Sequence, residues 1–169
     1  MPSDFPTAFR ELREILKRHV DGMIVLNDKP NDFTVITKAI GPNKKPIWFG
    51  AVLMKKSAVT YHLFPLYFNP ALQATVSPEL AKRKQGKTCF NFQRPDPILF
   101  AQLDALTLRG REGFAKHGML EPGNVCADRL DGALRAAGED PVALAKFRKD
   151  KGKAAAAKRA ATIRKRKAT

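Results

Sequence analysis

Cysteine and histidine are scarce in this chain: two and three residues out of 169. Cys89 and Cys126 stand far apart and neither belongs to a CxxC pair, so they read as free thiols of a reducing cytoplasm. His19, His62 and His117 are scattered without the spacing of metal ligands, which speaks against a zinc site. No apolar run approaches the roughly 20 residues that span a bilayer. The start, "MPSDFPTAFRELREIL", has early acids and no apolar h-region, unlike a secretory signal. No internal repeat is visible. The expectation is a cytoplasmic chain with no cofactor, no metal and no membrane partner.

Acidic residues are few as well. Lys and Arg number 31 against 16 Asp and Glu, for a net charge of +15. The excess is uneven: residues 146–169 hold 11 basic residues and the single acid Asp150, whereas residues 1–145 hold 20 basic and 15 acidic. A nucleic-acid role therefore falls to the tail. Its Lys158, Arg159, Arg164, Lys165, Arg166 and Lys167 can neutralise phosphates and release counterions without reading sequence. The other reading is a solvated, solubilising tail. No zinc finger, helix-turn-helix or RNA-recognition aromatic signature accompanies it.

What is present is a patterned domain. Phe5, Phe9, Leu12 and Leu16 recur at helical spacing, with Ser3 or Asp4 as cap and Asp21-Gly22 as stop. Two short β-type runs follow, Met23 to Leu26 and Phe33 to Thr37, joined by the turn-rich "NDKPND". "IWFGAVLM" is apolar on both faces, as in a central strand. Lys55-Lys56 then interrupts, and "SAVTYHLF" returns, which predicts a hairpin. With a two-residue turn at Lys55-Lys56, Gly50 would face Tyr61 and Phe49 would face His62. Pro65 and Pro70 mark the strand's exit. "SPELAKRK" starts a short helix with Ser77 as cap and Pro78 at its first position, stopped by Gly86. "KTCFNFQ" alternates, with Thr88, Phe90 and Phe92 on one face and Lys87, Cys89 and Asn91 on the other. Asp96 and Pro97 open a long helix with a stripe of Leu99, Leu103, Leu106 and Phe114, ended by Gly118.

The order helix, strands, helix, strand, helix predicts an α+β fold with a mostly antiparallel sheet packed by helices. The reading places this domain at residues 1–118, a loop and short helical extension at 119–145, and the basic Ala/Lys/Arg-rich tail, helical or disordered, at 146–169. The tail carries almost no large apolar residues and cannot fold alone.

The strings "WFGAV", "VTYHLFPLYFNP" and "SPELAKRKQGKTCFNF", followed by a Pro-capped helix, resemble the YdhG-like group of small bacterial domains of unknown function. The resemblance covers residues 2 to about 118 and implies the fold but no agreed activity. Some relatives are discussed as frataxin-like iron chaperones, which implies an acidic helix face. This chain departs from that pattern: Asp4, Glu11 and Glu14 are interleaved with Arg10, Arg13, Lys17 and Arg18, whose charges oppose Fe²⁺.

Three chemistries compete for the remaining polar groups. "QGKT", Gln85 to Thr88, ends a phosphate-loop pattern, but Ala81 stands where its first glycine belongs, and the helix precedes the strand; the motif is excluded. Cys89 would be a nucleophile with His62 as base only if their strands are neighbours and both side chains leave one face. Otherwise His62 is a hydrogen-bonded sheet histidine or a ligand contact. Trp48, Tyr61, His62, Tyr67, Lys87, Asn91 and Arg94 are the candidate lining of one pocket for a small anionic or planar ligand. The resulting expectation is a binding module rather than an enzyme, with a weak His62/Cys89 hydrolase or transferase and an iron-handling protein as alternatives.

Overall fold

A computed structural model describes residues 2–125. Cys126, the helix expected in the extension and the six tail cations all lie outside them. The chain runs α1 (Phe5–Lys17), β1 (Ile24–Lys29), β2 (Asp32–Ile40), β3 (Pro46–Met54), β4 (Val59–Leu63), α2 (Pro65–Phe68), α3 (Pro70–Ala74), α4 (Pro78–Ala81), β5 (Lys84–Gln85), β6 (Cys89–Phe92), α5 (Pro97–Lys116) and β7 (Gly123–Asn124). The strands form one sheet in the order β1-β2-β3-β4-β6-β5, with β7 beside β2. Every ladder is antiparallel except β2–β7. This is the expected α+β fold. No helix of the described residues is long and apolar enough to cross a membrane.

Both long helices begin as their sequences dictate. Asp4 caps α1 by accepting from the Thr7 amide, and Asp96 caps α5 by accepting from the Leu99 amide, each with a proline in the first turn. Such a cap satisfies an amide that helix geometry leaves open, for about 1 kcal/mol. Each helix then turns one stripe onto the sheet. Leu12, Leu16 and Leu103 are fully buried, with Phe9, Leu99, Leu106 and Phe114 beside them. Each such side chain contributes about 1.5–3 kcal/mol of burial.

The sheet supplies the other half of that core. Val52, Val59, Tyr61, Leu63, Phe90 and Phe92 are all within 1% of complete burial. Tyr61 faces the helices: its hydroxyl lies 2.7 Å from Thr107 Oγ1 on α5. The core does not end at Gly118 as the domain boundary predicted. Met119 and Val125 are also buried, and Val125 N–H donates to the Ile40 carbonyl.

The β3–β4 hairpin forms, but two residues out of the expected register. Met54 pairs with Val59, Val52 with Tyr61, Ala51 with His62 and Gly50 with Leu63. The connection is four residues, closed by Lys55 N–H donating to the Ala58 carbonyl at 2.9 Å. A two-residue hairpin turn favours residues that accept positive φ, and lysine is not one of them. Gly50 is therefore opposite Leu63 rather than Tyr61. It faces α1, where a Cβ would stand 2.9 Å from Leu16 Cδ1 and 3.0 Å from the His62 carbonyl oxygen.

Three further expectations are corrected. The first two strands run past their predicted ends, so that Asn27 to Lys29 and Asp32 of "NDKPND" are strand. Pro65 and Pro70 do not only end β4; each opens a short helix, and Asn69 caps the second through the Leu72 amide. Gly86 does not stop α4, which ends at Ala81. With φ +74° it makes the turn between β5 and β6.

Candidate functional site

The sheet's second face, away from α1 and α5, gathers the polar groups. In β4 and β6 the alternation sends Val59, Tyr61, Leu63, Phe90 and Phe92 to the helices and Thr60, His62, Cys89 and Asn91 to the other side. His62 stands directly across from Cys89, and Thr60 across from Asn91.

Backbone pairing explains how close the first pair comes. Leu63 N–H donates to the Thr88 carbonyl at 2.9 Å. In an antiparallel ladder hydrogen-bonded and non-hydrogen-bonded pairs alternate, so His62 and Cys89 occupy a non-hydrogen-bonded pair, where side chains approach most closely. Cys89 Sγ lies 2.8 Å from His62 Nδ1 and 4.0 Å from Nε2. Both conditions set for a Cys89/His62 pair are met: neighbouring strands and a common face.

The same alternation decides what the pair lacks. Phe64 N–H donates to the Phe49 carbonyl, which directs the main-chain groups of His62 toward Ala51. Asn91 N–H donates to the Arg83 carbonyl, which directs those of Cys89 toward Gln85. Neither amide is free to bind a developing oxyanion. Among the described residues no carboxylate hydrogen-bonds His62, and no three His, Cys, Asp or Glu residues gather as a metal site.

Both members of the pair are half-buried. Burial, aided by the positive charge of Lys55, pushes His62 below the ordinary histidine range. The ring is therefore neutral at pH 7, with one nitrogen lone pair available.

An aromatic row flanks the pair. Trp48, on β3, is 43% exposed and its ring lies 6.4 Å from Phe64, two residues beyond His62. Phe64 stacks on Tyr67 at 6.2 Å, and Lys87 Nζ sits 5.7 Å from the Tyr67 ring centre. Such a cation–π contact holds the ammonium over the ring. On the far side Thr60 Oγ1 donates to Asn91 Oδ1, and Asn91 Nδ2 donates to Gln85 Oε1.

Of the seven predicted lining residues, Trp48, Tyr67 and Lys87 are linked through Phe64, whereas His62 contacts Cys89, and Asn91 contacts Thr60 and Gln85. Tyr61 is corrected out of the set: it is fully buried on the helix face, where burial pushes its phenol above the ordinary tyrosine range. Arg94 is exposed beyond the end of β6. Phe64, which joins Trp48 to Tyr67, was missed; its even spacing from His62 was the signal.

The acids of α1 are interleaved with cations: Glu11 and Glu14 line a cleft with Asp104 but also with Arg10 and Arg18, Glu14 pairs with Arg13, and Asp4 is engaged in capping. Arg13 Nη2 also reaches both Asp28 carboxylate oxygens at 2.8 Å. His117 lines a separate cleft of about 190 Å³ with Asn69, Gly110 and Gly113, smaller than sites that enclose a drug-sized ligand.

No protein-family model matches the chain, and no curated protein or solved structure matches it either.

Proposed function

We propose that this is a YdhG-like α+β domain that works as a binding module, and that the second face of its sheet takes a small, planar, anionic ligand. One observation carries the reading: the unbroken row Trp48, Phe64, Tyr67 and Lys87 beside the His62–Cys89 pair. The rings offer flat apolar surface with little side-chain entropy to lose on binding. Lys55 and Lys87 give the face a positive potential. His62 and Asn91 supply hydrogen-bond groups that orient a bound molecule, and the buried Thr60 holds the Asn91 amide in place.

A hydrolase is the weaker reading for a physical reason. Acyl transfer needs donors aimed at an oxyanion, and the amides beside the sulfur are turned into the neighbouring strands. A thiol reaction that develops no oxyanion is favoured by the Sγ–Nδ1 contact itself. Tail binding to polyanions is a separate, charge-driven property.

The test uses the chain's single tryptophan. Its indole N–H gives one resonance in a ¹⁵N-correlated NMR spectrum. Naphthoate, a planar anion, should shift that resonance saturably, and Lys87→Gln should weaken the effect. A naphthyl ammonium of the same shape should bind more weakly. An indole signal that ignores naphthoate to millimolar concentration rejects the reading.

A further inference from the structure

A hydrogen-bonding surface has no need of a thiol held against an imidazole. We propose that Cys89 is a thiol–disulfide exchange site, with His62 as its base, and that its partner is a small disulfide carrying negative charge. The partner's charge rests on the anion-binding reading above; the exchange chemistry does not.

The step balances within the pair and the partner. His62 Nδ1 takes the proton from Cys89 Sγ, which lies 2.8 Å away. The sulfur attacks one sulfur of the disulfide, a new S–S bond forms, and the old one breaks. The departing thiolate takes the proton back from the imidazolium. One disulfide and one protein thiol become one mixed disulfide and one small thiol. The disulfide is the oxidant; Cys89 is oxidised and the leaving sulfur is reduced.

Geometry selects this reaction over acyl transfer. Exchange passes through charge spread along three sulfurs, and its rate depends on the attacking thiolate and on the leaving group rather than on an oxyanion pocket. The strand amides closed by the β3–β4 and β5–β6 ladders therefore cost it nothing. A neutral imidazole with Nδ1 facing the sulfur carries its own proton on Nε2 and has a lone pair for the thiol proton. Among the described residues, the sheet continues beyond β6 only as the two-residue β5. Lys55 and Lys87 favour an anionic partner over a cationic one.

The experiment treats the full chain at pH 7 with dithiobis(nitrobenzoate), an anionic aromatic disulfide, or with cystamine, a cationic one. Mixed disulfide at Cys89 is followed by peptide mass spectrometry, which separates it from Cys126. The reference is the same chain unfolded in urea. An ordinary thiol with pKa about 8.5 is only about 3% ionised at pH 7, so proton removal can speed attack by about thirtyfold at most. We expect folded Cys89 to react with the anionic disulfide about tenfold faster than in the unfolded chain. His62→Gln should abolish the gain, and Lys87→Gln should erase the preference for the anion. A folded Cys89 no faster than the unfolded one overturns the proposal and needs no variant. So does an unchanged rate in His62→Gln, or in His62→Asn if the first variant does not fold by circular dichroism. Naphthoate binding without exchange sinks this inference alone, and exchange without naphthoate binding sinks the binding surface alone.

Discussion

Thr107→Val should destabilise the protein more than Tyr61→Phe, although both break the Tyr61–Thr107 contact. Thr107 Oγ1 donates to the Leu103 carbonyl at 2.7 Å, and the same oxygen lies 2.7 Å from the Tyr61 hydroxyl. A threonine has one hydroxyl hydrogen. With that hydrogen on Leu103, Tyr61 is the donor. Removing the phenolic hydroxyl takes away a net hydrogen bond of about 0.5–1.5 kcal/mol and leaves the Thr107 hydroxyl hydrogen still bonded. Replacing Thr107 instead strands the Tyr61 O–H in a core where both residues are fully buried. An unsatisfied buried donor costs about 1–3 kcal/mol in itself. The double variant has neither group and should recover most of that penalty, giving a coupling of about 1–2 kcal/mol. Urea unfolding measures this. At a slope of about 1.5 kcal/mol per molar urea, a 2 kcal/mol loss moves the midpoint by about 1.3 M. A Tyr61→Phe cost above that of Thr107→Val, or strict additivity in the double variant, would refute the donor assignment. Insensitivity to all three changes would return Tyr61 to the ligand-facing set.

Gly50→Ala should cost about 1–3 kcal/mol, because its Cβ would press on Leu16 Cδ1 and on the rigid His62 carbonyl at 3.0 Å; thermal melting reads it. His62 is held below its ordinary value, so the unfolded chain takes up its proton first. Its contribution is complete above about pH 6.5, declines as the pH falls through that value, and levels off below the folded pKa. His62→Gln should flatten urea stability between pH 7 and 5. Asp104 is also held low: burial acts against this, but hydrogen bonds from His19 and Arg18 outweigh it. Its contribution is present above about pH 4 and lost as the pH falls through the folded value, so Asp104→Asn should blunt acid destabilisation measured between pH 5 and 2. Deleting residues 146–169 should leave the domain's melting cooperative and remove most affinity for duplex DNA. In the full chain that affinity should fall steeply between about 50 and 200 mM salt. Equal binding by both forms would show the tail to be a solubilising appendage.

The elements legible in the sequence were those with two agreeing signals. Asp96, Pro97 and a Leu stripe left α5 no alternative, and the alternation in "KTCFNFQ" placed Cys89 and Asn91 on one face and Phe90 and Phe92 on the other. What failed was register. Hairpin pairing depends on loop length, and "KKSA" carries no glycine or asparagine to declare it. A two-residue error keeps every side chain on its correct face. Thus Val59, Tyr61 and Leu63 were interpretable as one inward set, yet Tyr61 was assigned to the ligand. The His62–Cys89 contact was legible only as a conditional. It depends on β6 lying next to β4 and on the two residues falling at a non-hydrogen-bonded position, neither of which is local to either string.

The strand order sets the sequence in which that contact is built. The first four strands form a meander whose neighbours follow one another along the chain. The β4–β6 ladder instead joins residues 27 apart in sequence, across three short helices. Its loop-closure entropy is the larger, so it should zip after the meander has formed and be among the first parts to open. Phe90 and Phe92, the latter edge-on to Phe100 at 5.1 Å, are what hold it shut. Separation of sulfur and imidazole thus marks a partial unfolding in which β1 to β4 stay paired. The alkylation rate of Cys89, followed against low concentrations of urea, would report the free energy of that opening apart from global unfolding.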